Sequence, residues 1–152
     1  MRAIIRTVLL LVAAITIVPA AFCDSTSAGM SVSVQVIART IVTVDREPAQ
    51  ISVSSQDIAR GYLDVPAAVA FRVRSNARNG YRVQFEPIAY PFTRANVTWD
   101  SQIAVVSADG SWLTRAYQQG ERAATLSVRL ALSSDATPGT YAWPVRFDAD
   151  SL

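Results

Sequence analysis

Most of the information about the fold lies in one C-terminal stretch, Asp135-Ala-Thr-Pro-Gly-Thr-Tyr-Ala-Trp-Pro-Val-Arg-Phe-Asp-Ala-Asp-Ser-Leu152. Pro138 presets φ and Gly139 tolerates a positive φ, so the first part of this stretch predicts a tight turn. The turn leads into a tyrosine whose hydroxyl we expect to bond back to the backbone where a strand begins. Alternation then places on one face of that strand the side chains of Tyr141, Trp143, Val145 and Phe147.

A periodicity of two recurs along the rest of the chain, and each occurrence is typical of a half-buried strand. Many short strands separated by turn signals predict an all-β protein, an immunoglobulin-like β-sandwich of seven to nine strands. Ser75–Gly80 and Ala108–Gly110 are expected to be hairpin loops, and Ser55–Gly61 either one helical turn or a plain loop. The predicted strands are Ser31–Val36, Ile41–Asp45, Gln50–Ser54, Val69–Arg74, Tyr81–Glu86, Gln102–Ser107, Ser111–Arg115, Ala124–Leu132 and Tyr141–Ala149.

The N-terminus has the three-part pattern of a secretory signal peptide. Two Arg residues precede the apolar run Val8–Val18, which is too short to predict a membrane span. Cleavage is expected after Ala20 or after Cys23, so the mature protein is expected in the periplasm or at the cell surface, with no transmembrane segment. The expected organisation is a signal peptide over residues 1–23, a flexible N-terminus over 24–30 and a single β-sandwich domain over 31–152.

The composition excludes several classes of function. All 14 basic residues are Arg, two of them in the signal peptide, which leaves 12 against 12 acidic residues in a nearly neutral mature chain. An electrostatic nucleic-acid binder needs a basic excess, so no nucleic-acid partner is expected. Without His or Lys, and with Cys23 as the only Cys, the usual bases, nucleophiles and zinc ligands are missing. The sequence therefore predicts neither an enzyme nor a cofactor.

Three groups of side chains have both a structural and a functional interpretation. The acid pairs Asp45/Glu47, Asp57/Asp64 and Asp148/Asp150 fit a glycosidase or a calcium site, but solvated acids are favoured. Three arginines, Arg72, Arg74 and Arg82, are expected on one outward face beside Glu86, as a solvated face rather than an anion site. Core packing is favoured over a carbohydrate site for the aromatic residues Tyr62, Phe71, Tyr81, Phe85, Trp99, Trp112, Tyr141, Trp143 and Phe147.

The two ends of the chain are complementary in pattern. Pro144 removes a ladder donor, so the last strand is expected at or near an edge, and the sandwich is expected to lack the strand that would follow it. A sandwich without its final strand exposes unpaired backbone and an apolar groove, which a partner strand can fill. The alternating Val32, Val34 and Val36 have the spacing of such a donor strand. The same residues also fit the first strand of a closed domain.

This arrangement resembles the pilus subunits of chaperone–usher systems, especially the spore-coat-protein-U-like archaic pilins. The resemblance lies in the alternating donor segment and in the final Gly139-Thr-Tyr141 strand, and it touches only the two ends of the chain. Those pilins commonly have a Cys in the first strand, which is absent from Ile37–Val42 here.

The resemblance implies a subunit of a bacterial surface fibre that assembles by donor-strand complementation. It implies a periplasmic chaperone, an outer-membrane usher and neighbouring subunits as partners. The donor would be Val32, Val34 and Val36, and the acceptor groove would be lined by the last strand. The alternative is a self-contained secreted or periplasmic β-sandwich that binds a ligand.

We expect export to remove the signal peptide. Mass spectrometry of the exported protein should find an N-terminus between Ala21 and Ser25, because the small residues before the polar stretch suit the signal peptidase. Retention of Met1, or a lipid on Cys23, would contradict this prediction.

Overall fold

The computed structural model describes residues 30–152, and the predicted signal peptide and most of the flexible N-terminus lie outside this range. The described residues are mostly in strands with one short helix, which confirms the all-β prediction. Contacts divide the chain between Gln35 and Val36, and the second unit, 36–152, contains every described strand. The strands are β1 Thr40–Arg46, β2 Gln50–Val53, β3 Tyr62–Ser75, β4 Tyr81–Phe85, β5 Phe92–Trp99, β6 Gln102–Val106, β7 Ser111–Arg115, β8 Glu121–Leu132, β9 Gly139–Ala142 and β10 Phe147–Ser151.

The strands form two main antiparallel sheets and one small one. The larger sheet has the order β1-β3-β8-β5-β6, the second β10-β4-β7, and the small sheet pairs β2 with β9. The helix α1, Ser55–Arg60, lies between β2 and β3 and is capped by Ser54 and by Gly61 at φ 78°. The sequence allowed either a helical turn or a plain loop at this place, and the structure has the helical turn.

Aromatic rings join the two main sheets. Phe71 on β3 packs edge-on against Trp99 on β5, with ring centroids 5.0 Å apart, and against Phe147 on β10 at 5.1 Å. Phe147 also lies 5.8 Å from Phe85 on β4. Phe71, Phe85 and Trp99 are buried, as the sequence predicts. Phe147 therefore links an edge strand of one sheet to an inner strand of the other.

Residues 30–152 form ten strands rather than seven to nine. The predicted last strand is divided, β5 was not predicted, and the predicted strand Ser31–Val36 is absent. β9 pairs with β2, and β10 pairs with β4 in a different sheet. The residues between them, Trp143–Arg146, are not in a strand, and they contain Pro144, which cannot donate to a ladder. A single continuous strand over Tyr141–Ala149 was therefore the wrong prediction.

Both hairpin predictions are wrong, because the loops cross between sheets. β3 and β4 belong to different sheets, and so do β6 and β7, which share only an isolated bridge between Ser107 and Gly110. An Asn-Gly step therefore allows a reversal of the chain without deciding whether the flanking strands pair.

The predicted arginine face is also absent, for the same reason. Arg72 lies on β3 and Arg82 on β4, in two different sheets. Arg72 binds Asp45 at 2.8 Å and Glu121 at 3.1 Å, and not Glu86 as expected. These two carboxylates raise the pKa of Arg72 further above its usual value.

We expect Phe71→Ala to lower the free energy of unfolding by about 3–5 kcal/mol, because it leaves a cavity where the two sheets meet. Arg74→Ala is the matched control, since Arg74 lies three positions along the same strand and is exposed. Urea denaturation of both variants measures the difference. Equal losses would show that Phe71 does not hold the sheets together.

Candidate functional site

The segment before β1 combines an alternating apolar pattern with high exposure. Residues 30–39 have no strand assignment, so the predicted strand Ser31–Val36 has no partner within the described residues. The side chains of Val32, Val34 and Val36 are 73, 80 and 78 % exposed. Single exposed apolar residues are ordinary, but a row of them at every second position is not. The first strand of the sandwich begins only at Thr40.

The strand β10 is an edge of its sheet, and its backbone alternates between paired and unpaired positions. Glu86 N–H donates to Arg146 O at 3.0 Å, and Leu152 N–H donates to Gly80 O at 3.1 Å. In an antiparallel ladder the hydrogen-bonded positions alternate. Asp148 and Asp150 therefore bond to β4. The backbone groups that point away from β4 belong to Phe147, Ala149 and Ser151.

The strand β1 is an edge of the other sheet and has the matching arrangement. Asn76 N–H donates to Arg39 O at 3.1 Å, which fixes the alternation of its ladder with β3. Thr40, Val42 and Val44 therefore direct their backbone groups away from β3. Their side chains face inward, since Val42 and Val44 lie opposite the buried Val73 and Phe71. Two edges with unpaired backbone thus border the same side of the sandwich.

A groove of about 520 Å³ lies at this side of the sandwich. Val44, on an inward-facing position, remains 43 % exposed because the groove leaves it uncovered. At the other end of the two strands Thr40 Oγ1 lies 3.1 Å from Ser151 Oγ, so that end is closed. The residues that line the groove are Val44, Glu47, Pro48, Ala49, Glu86, Ala142, Trp143, Arg146 and Phe147.

The groove contains only part of the predicted acceptor set. Trp143 and Phe147 line it, whereas Val145 is buried in the core. Tyr141 lies on β9, where its hydroxyl donates to Thr137 O at 2.7 Å, as expected for a tyrosine at a strand entrance. Sequence reasoning missed the lining residues from the first half of the chain. The alternation in Ile41–Asp45 could have placed Val44 on an inward face, but nothing local places it beside Phe147.

A second concavity of about 450 Å³ lies on the outer face of the five-stranded sheet. It adjoins the irregularity in β3 between Val65 and Val69 and is lined in part by Ser127 and the exposed Ile103. Asn96 Oδ1 in its wall is buried, with no hydrogen-bond partner among residues 30–152. This cleft has the mixed apolar and polar lining of a small ligand site.

Three members of the predicted acid pairs bind arginine side chains, whereas Asp148 and Asp150 are both exposed two positions apart on β10. Asp45 binds Arg72, and Asp57 accepts from Ser54 and Arg60 at the start of α1. Asp64 accepts from Arg129 at 2.6 Å, and this bond lowers the pKa of Asp64 below its ordinary value. Within residues 30–152 no cluster of three or more potential ligands is placed to hold a metal ion.

Trp112 is a correction to the predicted core. It is 64 % exposed on the edge strand β7, with the guanidinium of Arg82 5.9 Å from its ring centroid. Trp99 and Trp143 are buried as predicted. The described helix is also far too short and polar to cross a bilayer.

The alternation at the two free edges predicts a pattern of amide exchange. The amides of Val42, Val44 and Phe147 should exchange fast, because they point away from their ladders, while those of Thr43 and Asp148 should be protected. Hydrogen exchange followed by NMR on the monomer measures this directly. Equal protection along β1 or β10 would mean that the edge is already covered.

In comparisons with known proteins, no family model, no curated protein and no solved structure matches this chain.

Proposed function

We propose that the protein is a non-catalytic structural or accessory subunit of a bacterial surface fibre, assembled by donor-strand complementation. The groove between β1 and β10 receives a strand, and Val32, Val34 and Val36 of another copy supply it. A periplasmic chaperone occupies the same groove before assembly, and an outer-membrane usher and neighbouring subunits are the further partners. The observation that most supports this proposal is the exposed, alternating valine segment that precedes β1 without a strand partner in the described chain.

The free edge of β10 supports this proposal from the acceptor side. Unpaired backbone groups and apolar side chains are unfavourable when both are left uncovered. An added strand satisfies both at once, because its backbone pairs with Phe147, Ala149 and Ser151 while its alternate side chains enter the groove. The spacing of the three valines suits one face of such a strand.

The shape of the groove gives the added strand a direction of entry. The contact between Thr40 and Ser151 closes one end, while Val44 and Phe147 border the open end. An incoming strand therefore enters beside Val44 and separates Thr40 from Ser151 as it extends along β10. Thr40 itself stays paired with Ser75 on β3, whose hydroxyl lies 2.9 Å from Thr40 Oγ1.

The donor segment can be tested with a charge-matched pair of triple variants. Val32→Asp, Val34→Asp and Val36→Asp together should abolish assembly, because their carboxylates would lie against Val44 and Phe147 and beside Glu47 and Glu86 in the groove wall. The control, Ser31→Asp, Ser33→Asp and Gln35→Asp, adds the same charges on the opposite face and should assemble like the wild type. Size-exclusion chromatography with light scattering, and electrophoresis of unheated samples, measure the oligomers. A wild-type protein that stays monomeric, or two triples that behave alike, would contradict the proposal.

The acceptor groove can be tested on one strand with two residues of equal exposure. Val44 and Ile41 are both 43 % exposed on β1, but only Val44 faces the groove. Val44→Asp should therefore reduce assembly strongly, while Ile41→Asp should leave it unchanged. Equal assembly by both variants would place the acceptor site elsewhere.

The alternative is a self-contained binding module, favoured by the cleft on the outer face of the five-stranded sheet. Its unpartnered Asn96 Oδ1 suits a ligand that donates a hydrogen bond. Ligand binding to a stably monomeric protein, lost in Asn96→Ala, would favour this function over the fibre subunit.

A further inference from the structure

Asn76, in the loop between β3 and β4, forms hydrogen bonds with the residues directly before β1. Its side-chain Nδ2 donates to Ile37 O at 3.0 Å, and its Oδ1 accepts from Arg39 N–H at 2.5 Å. Its backbone N–H donates to Arg39 O at 3.1 Å. The amide side chain thus replaces the peptide group of a neighbouring strand and extends the β1–β3 pairing beyond Thr40.

If the stretch Val32–Val36 folded back along β1, the chain would have to turn at Ile37-Ala38-Arg39. These are the three residues that Asn76 holds. Hairpin connections are commonly two to five residues long. A three-residue turn at this point would bring Val32–Val36 alongside the free edge of β1 and into the groove of its own chain. While Asn76 holds Ile37 and Arg39 in an extended conformation, that turn cannot form.

We propose that Asn76 is a positioning residue that keeps residues 37–39 paired as a continuation of β1, so that Val32, Val34 and Val36 are available to a second copy of this chain rather than to their own groove. This inference rests on the proposed function for its consequence, but the clamp itself is a property of the monomer. Breaking the clamp releases residues 37–39 and allows the chain to complement itself. Self-complementation removes both a donor and an acceptor from assembly.

Limited proteolysis tests the clamp without any assembly. Trypsin cuts after Arg39 only when the surrounding residues leave their extended pairing. Asn76→Ala removes two side-chain hydrogen bonds, so cleavage at this bond should become about tenfold faster. Asn79→Ala is the matched control, because Asn79 is an exposed residue of the same loop and its side chain makes no hydrogen bond within the described chain. Mass spectrometry identifies the cleaved bond.

Global stability distinguishes the proposed positioning role of Asn76 from a merely structural one. The clamp is local, so Asn76→Ala should leave the urea midpoint unchanged while cleavage after Arg39 accelerates. Under assembly conditions the same variant should yield more monomer than the wild type and the Asn79→Ala control. Unchanged cleavage in Asn76→Ala would overturn the clamp, whatever the assembly result. Faster cleavage in a protein whose wild type never assembles would retain the clamp and refute the fibre function.

Discussion

The packing of Phe147 between Phe71 and Phe85 is the contact on which the open side of this sandwich depends. Phe147 lies on an edge strand, yet its ring reaches the core residues of both sheets, with centroids 5.1 and 5.8 Å away. It holds β10 against the opposite sheet without a strand between β10 and β1. The core is therefore closed by a side chain at a place where the backbone is left unpaired.

The closed core and the open edge are separate features of the described chain. The buried residues Val145 and Ala149 flank Phe147 and anchor the last strand independently of any partner. The backbone groups at the free edges remain unpaired, and the side chain of Val44 remains exposed. An added strand would gain hydrogen bonds and apolar contacts at these groups.

Polar residues at the closed end distinguish it from the open end beside Val44 and Phe147. Thr40, Ser75 and Ser151 form a chain of hydroxyl contacts, and Asn76 extends this polar region to Ile37 and Arg39. Hydrogen bonds between neutral groups contribute only modestly to stability, so this region is well suited to opening.

The sequence by itself determined the strand periodicity, the turn at Pro138-Gly139 and the tyrosine that follows it, because these depend on neighbours along the chain. Only the tertiary structure decided which sheet each strand joins, since pairing is a choice among distant partners. For that reason the loop at Ser75–Gly80 was taken for a hairpin, and Trp112 was assigned to a core that it does not enter. The donor-like valines could be recognised from their spacing. The groove could not, because it requires Val44 and Phe147, about a hundred residues apart in sequence, to border the same opening.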